Sequence, residues 1–123
     1  YLTRVVMSTD KFLGACRAAQ IFAREASYAV TLSVTSGKGP GEDRLEGSAN
    51  AAETGSNESS IESSLEGDPV DIVFNVRYLT EVLRVIGTRN VALETNGEAS
   101  PGVLRPVGRD DFVSVIMPMH VGR

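Results

Sequence analysis

Two amphipathic helical patterns, each preceded by one strand pattern and followed by three, constrain the fold of this chain more than any other feature. In the first, residues 10–26, apolar side chains recur at spacings of three and four and form one buried face. The second starts after Asn75, a favoured N-cap residue, and stops at Gly87, a residue type favoured just beyond helix ends. Apolar alternation and β-branched residues predict strands at 2–7, 28–35, 45–51, 57–65, 70–74, 90–95, 102–107 and 112–119.

The order of strand, helix and three strands therefore occurs twice, as an internal repeat of βαβββ units without obvious residue identity. Two such units predict one α+β domain, 1–123, with two adjacent helices packed on antiparallel strands. Residues 36–43, SGKGPGED, predict a flexible loop. Serine, glycine, alanine and glutamate dominate residues 45–65, a composition typical of disorder when taken alone. We interpret this segment as two marginal, solvated strands, and the order of the acidic stretch 42–71 stays open.

Several classes of protein are disfavoured by the composition. No run approaches the roughly 20 apolar residues of a membrane helix, and the N-terminus lacks a signal-peptide pattern, so we expect a cytoplasmic protein. The first residue is Tyr1 rather than Met, and we interpret the chain as part of a longer polypeptide. Cys16 and His120 are each the only residue of their type, which excludes an internal disulfide and gives little support to a zinc site or a Ser-His-Asp triad. We predict no catalysis, metal or cofactor, and a buried, unreactive Cys16.

Charge is distributed unevenly along the chain. Nine acids and one arginine lie between residues 42 and 71, whereas the remainder carries eleven basic and seven acidic residues. Helical spacing places Arg17, Gln20 and Arg24 on one stripe of the first helix, and Arg77 and Arg84 on one stripe of the second. If the helices lie side by side, four arginines point the same way, which suits a sequence-independent contact with phosphates. A solvated face on which Glu81 offsets two of the arginines is the alternative, and spacing alone favours it.

The C-terminal run VIMPM is the second informative feature. Met117 and Met119 have flexible, polarizable side chains that adapt to different partners, and Pro118 between them lacks the N–H needed for further strand pairing. This pattern predicts an adaptable peptide-binding surface. Two methionines that fill gaps in the core explain it equally well.

Several stretches resemble one family. FNVRYLTEVL at 74–83, SPGVLRP at 100–106 and VIMPM at 115–119 resemble the C-terminal, third domain of the bacterial β sliding clamp, the processivity subunit of DNA polymerase III. YLTRVVM at the N-terminus, GSAN at 47–50 and EGDPVDIVFN at 66–75 extend the resemblance over nearly the whole chain. It implies the DNA-clamp fold and two upstream domains that are absent from this chain.

The resemblance also implies a function. Two protomers of the family close head to tail into a homodimeric ring around duplex DNA, with helices lining the hole, and without catalysis of their own. Partner proteins, among them the replicative polymerase, the clamp loader and repair proteins, insert a linear peptide into a groove between the second and third domains. The expected protein is thus a cytoplasmic, nucleoid-associated processivity factor. A stand-alone peptide-binding module that never meets DNA is the alternative, and a small hydrolase using His120 is a distant third.

By matching position, the resemblance assigns residues of this chain to three surfaces. The groove residues are Arg4 and Val5 on the side of the entering linker, 1–7, together with Asn75, Tyr78, Pro101, Val115, Ile116, Met117, Pro118 and Met119. The DNA-facing residues are Arg17, Gln20, Arg24, Arg77 and Arg84. The seam to the second protomer is expected around Ala26, Ser27, Tyr28, Ala29 and Val30.

Overall fold

The computed structural model describes residues 1–24, 27–39, 42–51 and 55–119. Its elements follow the predicted repeat, and each βαβββ unit contributes one helix and four strands. In chain order they are β1 (Thr3–Ser8), α1 (Thr9–Ala23), β2 (Ala29–Thr35), β3 (Arg44–Ala51), β4 (Gly55–Gly67), β5 (Val70–Asn75), α2 (Val76–Val85), β6 (Asn90–Thr95), β7 (Gly102–Pro106) and β8 (Ser114–Ile116). The predicted α+β fold is confirmed.

The eight strands form one antiparallel sheet in the order β5-β2-β3-β4-β1-β6-β7-β8. β4 joins the two repeats, because its residues up to Glu62 pair with β3 and those from Ser63 onward pair with β1. The chain after β8 makes the corresponding contact in the second repeat, where Met119 N donates to Val73 O of β5 at 2.7 Å. The chain after β8 therefore reaches β5, the strand at the opposite edge of the sheet.

Local signals in the sequence define the helix ends. Ser8 Oγ accepts from Lys11 N at 3.3 Å at the start of α1, and Asn75 Oδ1 accepts from Arg77 N at 2.9 Å at the start of α2. Beyond α2, Gly87 adopts a φ of 76°, which glycine tolerates without steric cost. α1 ends at Ala23 with Arg24 as its C-cap, and residues 25 and 26, the end of the predicted helix, lie outside the described residues.

A left-handed turn follows α1 and links it to the start of α2 through backbone hydrogen bonds. Ser27 and Tyr28 have φ values of 58° and 63°, and Tyr28 N donates to Ala23 O at 2.7 Å. Tyr28 O in turn accepts from Val76 N, the first amide of α2, at 2.8 Å. The end of α1 thus lies beside the start of α2, and the two helices, which pack on each other, are antiparallel.

The core lies between the helices and the sheet. Phe12 and Ala19 of α1 and Leu79 and Leu83 of α2 pack against alternating strand residues. Cys16 belongs to this core, and burial raises the pKa of its thiol to about 12, so it is not a nucleophile at neutral pH. Residues 45–65 have a composition typical of disorder, but their described part forms β3 and most of β4. Their few apolar side chains alternate toward α1 and are buried: Leu45, Ala49 and Ile61.

One carboxylate ties the loop at 36–39 and 42–43 to the sheet. Asp43 Oδ1 accepts from Gly37 N at 3.0 Å and Asp43 Oδ2 accepts from Leu65 N at 2.9 Å. These two amides, that of Leu65 most, lower the pKa of the Asp43 carboxyl. The loop was expected to be flexible, and residues 40 and 41 lie outside the described ranges.

We expect Asp43→Ala to accelerate hydrogen exchange at the Leu65 amide, because that amide loses its acceptor. Exchange read by NMR checks this, with Asp68→Ala as a control that removes an exposed acid nearby. The lowered pKa means that protection is complete above the ordinary carboxyl value and is lost as pH falls through the lowered value. Equal exchange in both variants would contradict the tether.

Candidate functional site

Four exposed arginines flank the contact between the two helices. Gln20 of α1 and Thr80 of α2 meet at this contact, with Thr80 Oγ1 3.4 Å from Gln20 Oε1. Each helix carries an arginine three positions before and four positions after its contact residue, so both pairs project on the solvent side of the junction. We call the set Arg17, Arg24, Arg77 and Arg84 the arginine face. Gln20 itself is half-buried between the helices.

Tyr28 supports one member of the arginine face. The guanidinium carbon of Arg77 lies 4.8 Å from the centroid of the Tyr28 ring, a cation–π arrangement. Arg17, Arg24 and Tyr28 also line a shallow depression of about 250 Å³. The Tyr28 ring, in the turn after α1, therefore also helps to position the guanidinium group of Arg77.

The seam residues expected between 26 and 30 are only partly suited to that role. Val30 is buried in the core, and β2 lies between β3 and β5, so its side chain is not on the surface of this domain; the seam around Ala26 to Val30 stays a prediction. Ser27 is exposed, Tyr28 and Ala29 are half-buried, and Ala26 lies outside the described residues. The prediction missed Ile21, which is 75% exposed near the end of α1. The signal in the sequence that could have found Ile21 is an isoleucine at a position where the first helical pattern otherwise has polar residues.

The C-terminal run is an exposed apolar wall rather than part of the core. Val115 is 61% exposed and Met117 is 65% exposed, while Pro118 and Met119 are half-buried. Ile116 between them points inward, is buried and supports the wall from the core side, and its assignment to the groove stays a prediction. β8 is shorter than predicted, because it pairs with β7 at three positions only before the chain reaches Pro118.

α2 presents a second apolar row beside this wall. Tyr78 is 56% exposed, and Val82 and Val85 follow it at helical spacing. This row lies on the flank of α2 away from Thr80, and thus away from the arginine face. α2 and β8 are in contact, so the row and the wall belong to neighbouring elements. Asn75 uses its side chain as the helix cap, and Pro101 is exposed before β7.

The expected contribution of Arg4 and Val5 to the groove stays a prediction. Both lie in β1, a central strand paired with β4 and β6, and Val5 is completely buried. Arg4 lies on the outer face of the sheet, where its Nε donates to Glu94 Oε2 at 3.1 Å. Register places Arg4 three strands from Val115, about 14 Å away at the usual strand spacing.

Other kinds of site are not indicated. Within the described residues, no group of three or more His, Cys, Asp or Glu side chains is arranged to hold a metal ion. The described helices include none that is long and apolar enough to cross a membrane. His120, the only histidine, lies outside the described residues. The two exposed surfaces, one cationic and one apolar, are the candidate functional sites.

Known proteins are similar to this chain in sequence and in fold. The chain is 29% identical over 117 residues to the Beta sliding clamp of Synechococcus elongatus, a match that covers 95% of this chain and 30% of that protein. It is 28% identical over 121 residues to the Beta sliding clamp of Staphylococcus aureus, covering 98% of this chain and 31% of that protein. The chain therefore spans about a third of the length of these relatives.

Solved structures agree on the fold. The DNA polymerase sliding clamp of Pseudomonas aeruginosa superposes with a TM-score of 0.86 at 28% identity over 97% of this chain and 31% of that chain. The DNA polymerase III beta subunit of Thermotoga maritima superposes with a TM-score of 0.90 over 99% of this chain and 32% of that chain; at 20% identity it supports the fold alone. The family described as "DNA polymerase III beta subunit, C-terminal domain" matches residues 1–120. With nearly its whole length matched, the chain belongs to this family of sliding-clamp domains.

Proposed function

We propose that this chain is the third domain of a longer sliding clamp, which closes as a homodimeric ring around duplex DNA and recruits replication partners. It acts in the cytoplasm, at the nucleoid, without catalysis of its own. Family membership supports the clamp, and one observation carries the DNA-binding role of this domain. That observation is the matched placement of two arginines on each helix around the Gln20–Thr80 contact.

The arginine face suits a sliding contact with duplex DNA. Its guanidinium groups offset phosphate charge without reading base edges, so binding is independent of sequence and the ring is free to move. The acids of the chain lie largely elsewhere, because Glu46, Glu58 and Glu62 alternate with buried residues along β3 and β4 and point to the outer face of the sheet. DNA is thus attracted to one side of the domain and repelled from the other.

The apolar wall and the neighbouring helix suit a partner peptide. We propose that Tyr78, Val115, Met117, Pro118 and Met119 contact apolar side chains of a linear motif from the polymerase, the clamp loader or repair proteins. Exposed methionines adapt to different partners, and the tyrosine supplies a rigid aromatic contact. We place Asn75 and Pro101 at the margins of this proposed peptide-binding surface.

We propose the seam to the second protomer around residues 26–30, as the resemblance implies, and two further surfaces suit such a contact: the free edge of β4 and the exposed Ile21 near the end of α1. The residues of β4 before Ser63 pair with β3 on one side, and no described strand pairs with their other side. Such an edge accepts a strand from another chain. The exposed side chain of Ile21 adds apolar area to this contact.

The DNA-binding role predicts a specific effect of charge removal in the complete clamp. Arg17→Gln together with Arg84→Gln is expected to shorten the retention of the loaded clamp on closed circular DNA and to lower its salt dependence. The logarithmic salt slope falls by about 1 for each arginine that contacts a phosphate. Retention is measured by gel filtration of the DNA complex at several salt concentrations.

A matched control separates this contact from net charge. Lys38→Gln together with Arg105→Gln removes two positive charges from a loop and from the outer face of the sheet, and retention should change little. An equal effect of both pairs would indicate a general charge effect. If the Arg17 and Arg84 pair leaves retention unchanged, the alternative of a peptide-binding module without DNA contact gains support.

A further inference from the structure

The apolar wall belongs to a strap, β8 and the residues up to Met119, that is anchored at both ends and in its middle. The strap runs alongside α2 in the opposite direction, since β8 begins after a loop that contacts the end of α2 and Met119 reaches β5 just before α2 begins. Between the ends, three register pairs with β7 and the buried side chain of Ile116 hold it to the domain. Its spacing from α2 along its whole length depends in addition on what anchors the two ends.

The anchor beyond Met117 is a backbone hydrogen bond. Met119 N donates to Val73 O at 2.7 Å, two residues before the N-cap Asn75. This bond fixes the strap near Tyr78, at the start of α2. It does not fix the other end, which lies about ten residues further along the helix.

The anchor at the other end is the side chain of Arg109 in the loop between β7 and β8. Its Nε and Nη2 donate to Asp111 Oδ1 and Oδ2, each at 3.0 Å, and its Nη1 donates to Ile86 O at 3.3 Å. Ile86 is the C-cap of α2, where carbonyl oxygens lack helical partners and a cation is favourable. One planar group thus joins the loop to the helix end.

This arrangement contributes more to geometry than to stability. Both side chains of the Arg109–Asp111 pair are largely exposed, and exposed ion pairs add little to the free energy of unfolding. The guanidinium fork nevertheless constrains direction, because its donors are coplanar and three of them are engaged. Each partner favours the charged form of the other, which lowers the pKa of Asp111 and raises that of Arg109.

We propose that Arg109 is a positioning residue for peptide binding: by joining the loop before β8 to the end of α2, it sets the distance between the wall with Met117 and the helix with Tyr78. The proposal rests on the proposed function of this surface as a peptide groove. Arg109 itself does not touch the peptide. When the Arg109 side chain is removed, the strap can occupy a wider range of positions relative to α2. Ordering it on binding then costs free energy, so the peptide binds more weakly.

The experiment compares variants of the complete clamp with a fluorescently labelled peptide from the C-terminal tail of the same organism's replicative polymerase. Arg109→Ala is expected to weaken binding by about 3–10-fold, mainly through faster dissociation, as is usual for changes within one interface. Arg109→Lys should give an intermediate value, since an ammonium reaches either Asp111 or Ile86 O but does not reproduce the fork. Asp111→Asn should resemble the lysine variant.

Arg44→Ala is the matched control. Arg44 is exposed on β3, opposite Glu62 of β4, and that strand neighbours neither α2 nor β8. Peptide affinity should be unchanged in this variant. Thermal unfolding and DNA retention should stay at the wild-type values in all four variants, which a residue needed only for stability would not allow.

The outcomes are distinct. Wild-type affinity in Arg109→Ala overturns the positioning role while leaving the groove intact. A loss of affinity that comes with a lower Tm or shorter DNA retention also overturns it, because the effect is then one of folding. If the wild-type clamp fails to bind the peptide, the groove assignment is wrong and the positioning role fails with it.

Discussion

Phe74→Ala is expected to lower the free energy of unfolding by about 3–5 kcal/mol, the usual range for removing a buried phenylalanine. The side chain is completely buried in β5, and its ring lies next to Gly102 of β7, on the side where the chain after β8 reaches β5. A Cβ atom added at Gly102 of β7 would lie 2.5 Å from Phe74 Cζ, so the ring rests directly on the glycine backbone. β5 and β7 are far apart in the strand order. Phe74 therefore helps to hold the two halves of the sheet together.

Urea denaturation followed by circular dichroism measures this change. A loss of 3–5 kcal/mol is a large part of the roughly 5–15 kcal/mol that stabilises a typical domain. Tyr78→Ala is the control, because it removes an exposed aromatic ring and should change stability by less than about 0.5 kcal/mol. A similar loss in both variants would contradict the packing role of Phe74.

Gly102 provides an independent check of the same contact. Gly102→Ala should cost about 1–3 kcal/mol, because the methyl group overlaps the Phe74 ring and also lies 3.2 Å from Leu93 Cδ1. In the Phe74→Ala background that methyl group has room, so its cost should fall. The two changes should thus be strongly non-additive in a double-mutant cycle. Additive costs would mean that the ring and the glycine do not interact.

Met117→Ala combined with Met119→Ala is expected to weaken binding of a polymerase-tail peptide to the complete clamp by about 30-fold. This corresponds to roughly 2 kcal/mol, the threshold for a binding hot spot. Met117 is exposed and Met119 is half-buried beside Pro118, so truncation removes apolar contact area from a ligand and little from the core. Fluorescence titration measures the affinity.

The control for the methionine pair is Leu2→Ala, an exposed apolar side chain before β1. It removes comparable apolar area from another part of the surface, and affinity should not change. The circular dichroism spectrum of the methionine variant should match that of the wild type. Unchanged peptide affinity would contradict the assignment of the wall, and a lost fold would indicate that the methionines fill the core.

The sequence predicted features that depend on neighbouring residues. Caps at Ser8 and Asn75, the positive φ at Gly87 and the apolar periodicity of both helices are local signals, and the structure contains each of them. The twofold repeat then followed from the order of elements. The four arginines could be grouped because helical spacing determines which residues share a face.

Features that depend on distant parts of the chain were not predictable in the same way. Residues 2–7 were predicted as a strand, but the central position of β1 was not, because it arises from pairing with β4 and β6, about 60 and 90 residues away in sequence. The turn at Ser27 and Tyr28 places two non-glycine residues in a left-handed conformation, which no local signal in the sequence indicates. The side chain that anchors the loop before β8, Arg109, looks like any solvated arginine until its partner at Ile86 is known.

The antiparallel arrangement of α1 and α2 has a consequence for the proposed contact with DNA. The positive end of one helix dipole lies beside the negative end of the other, so the two fields largely cancel and the side-chain cations set the potential. Each helix carries its two arginines at the same offsets from its contact residue, so the arginine face has nearly the same arrangement in both directions along the helices. If this face contacts DNA as proposed, that contact by itself favours neither direction along the duplex.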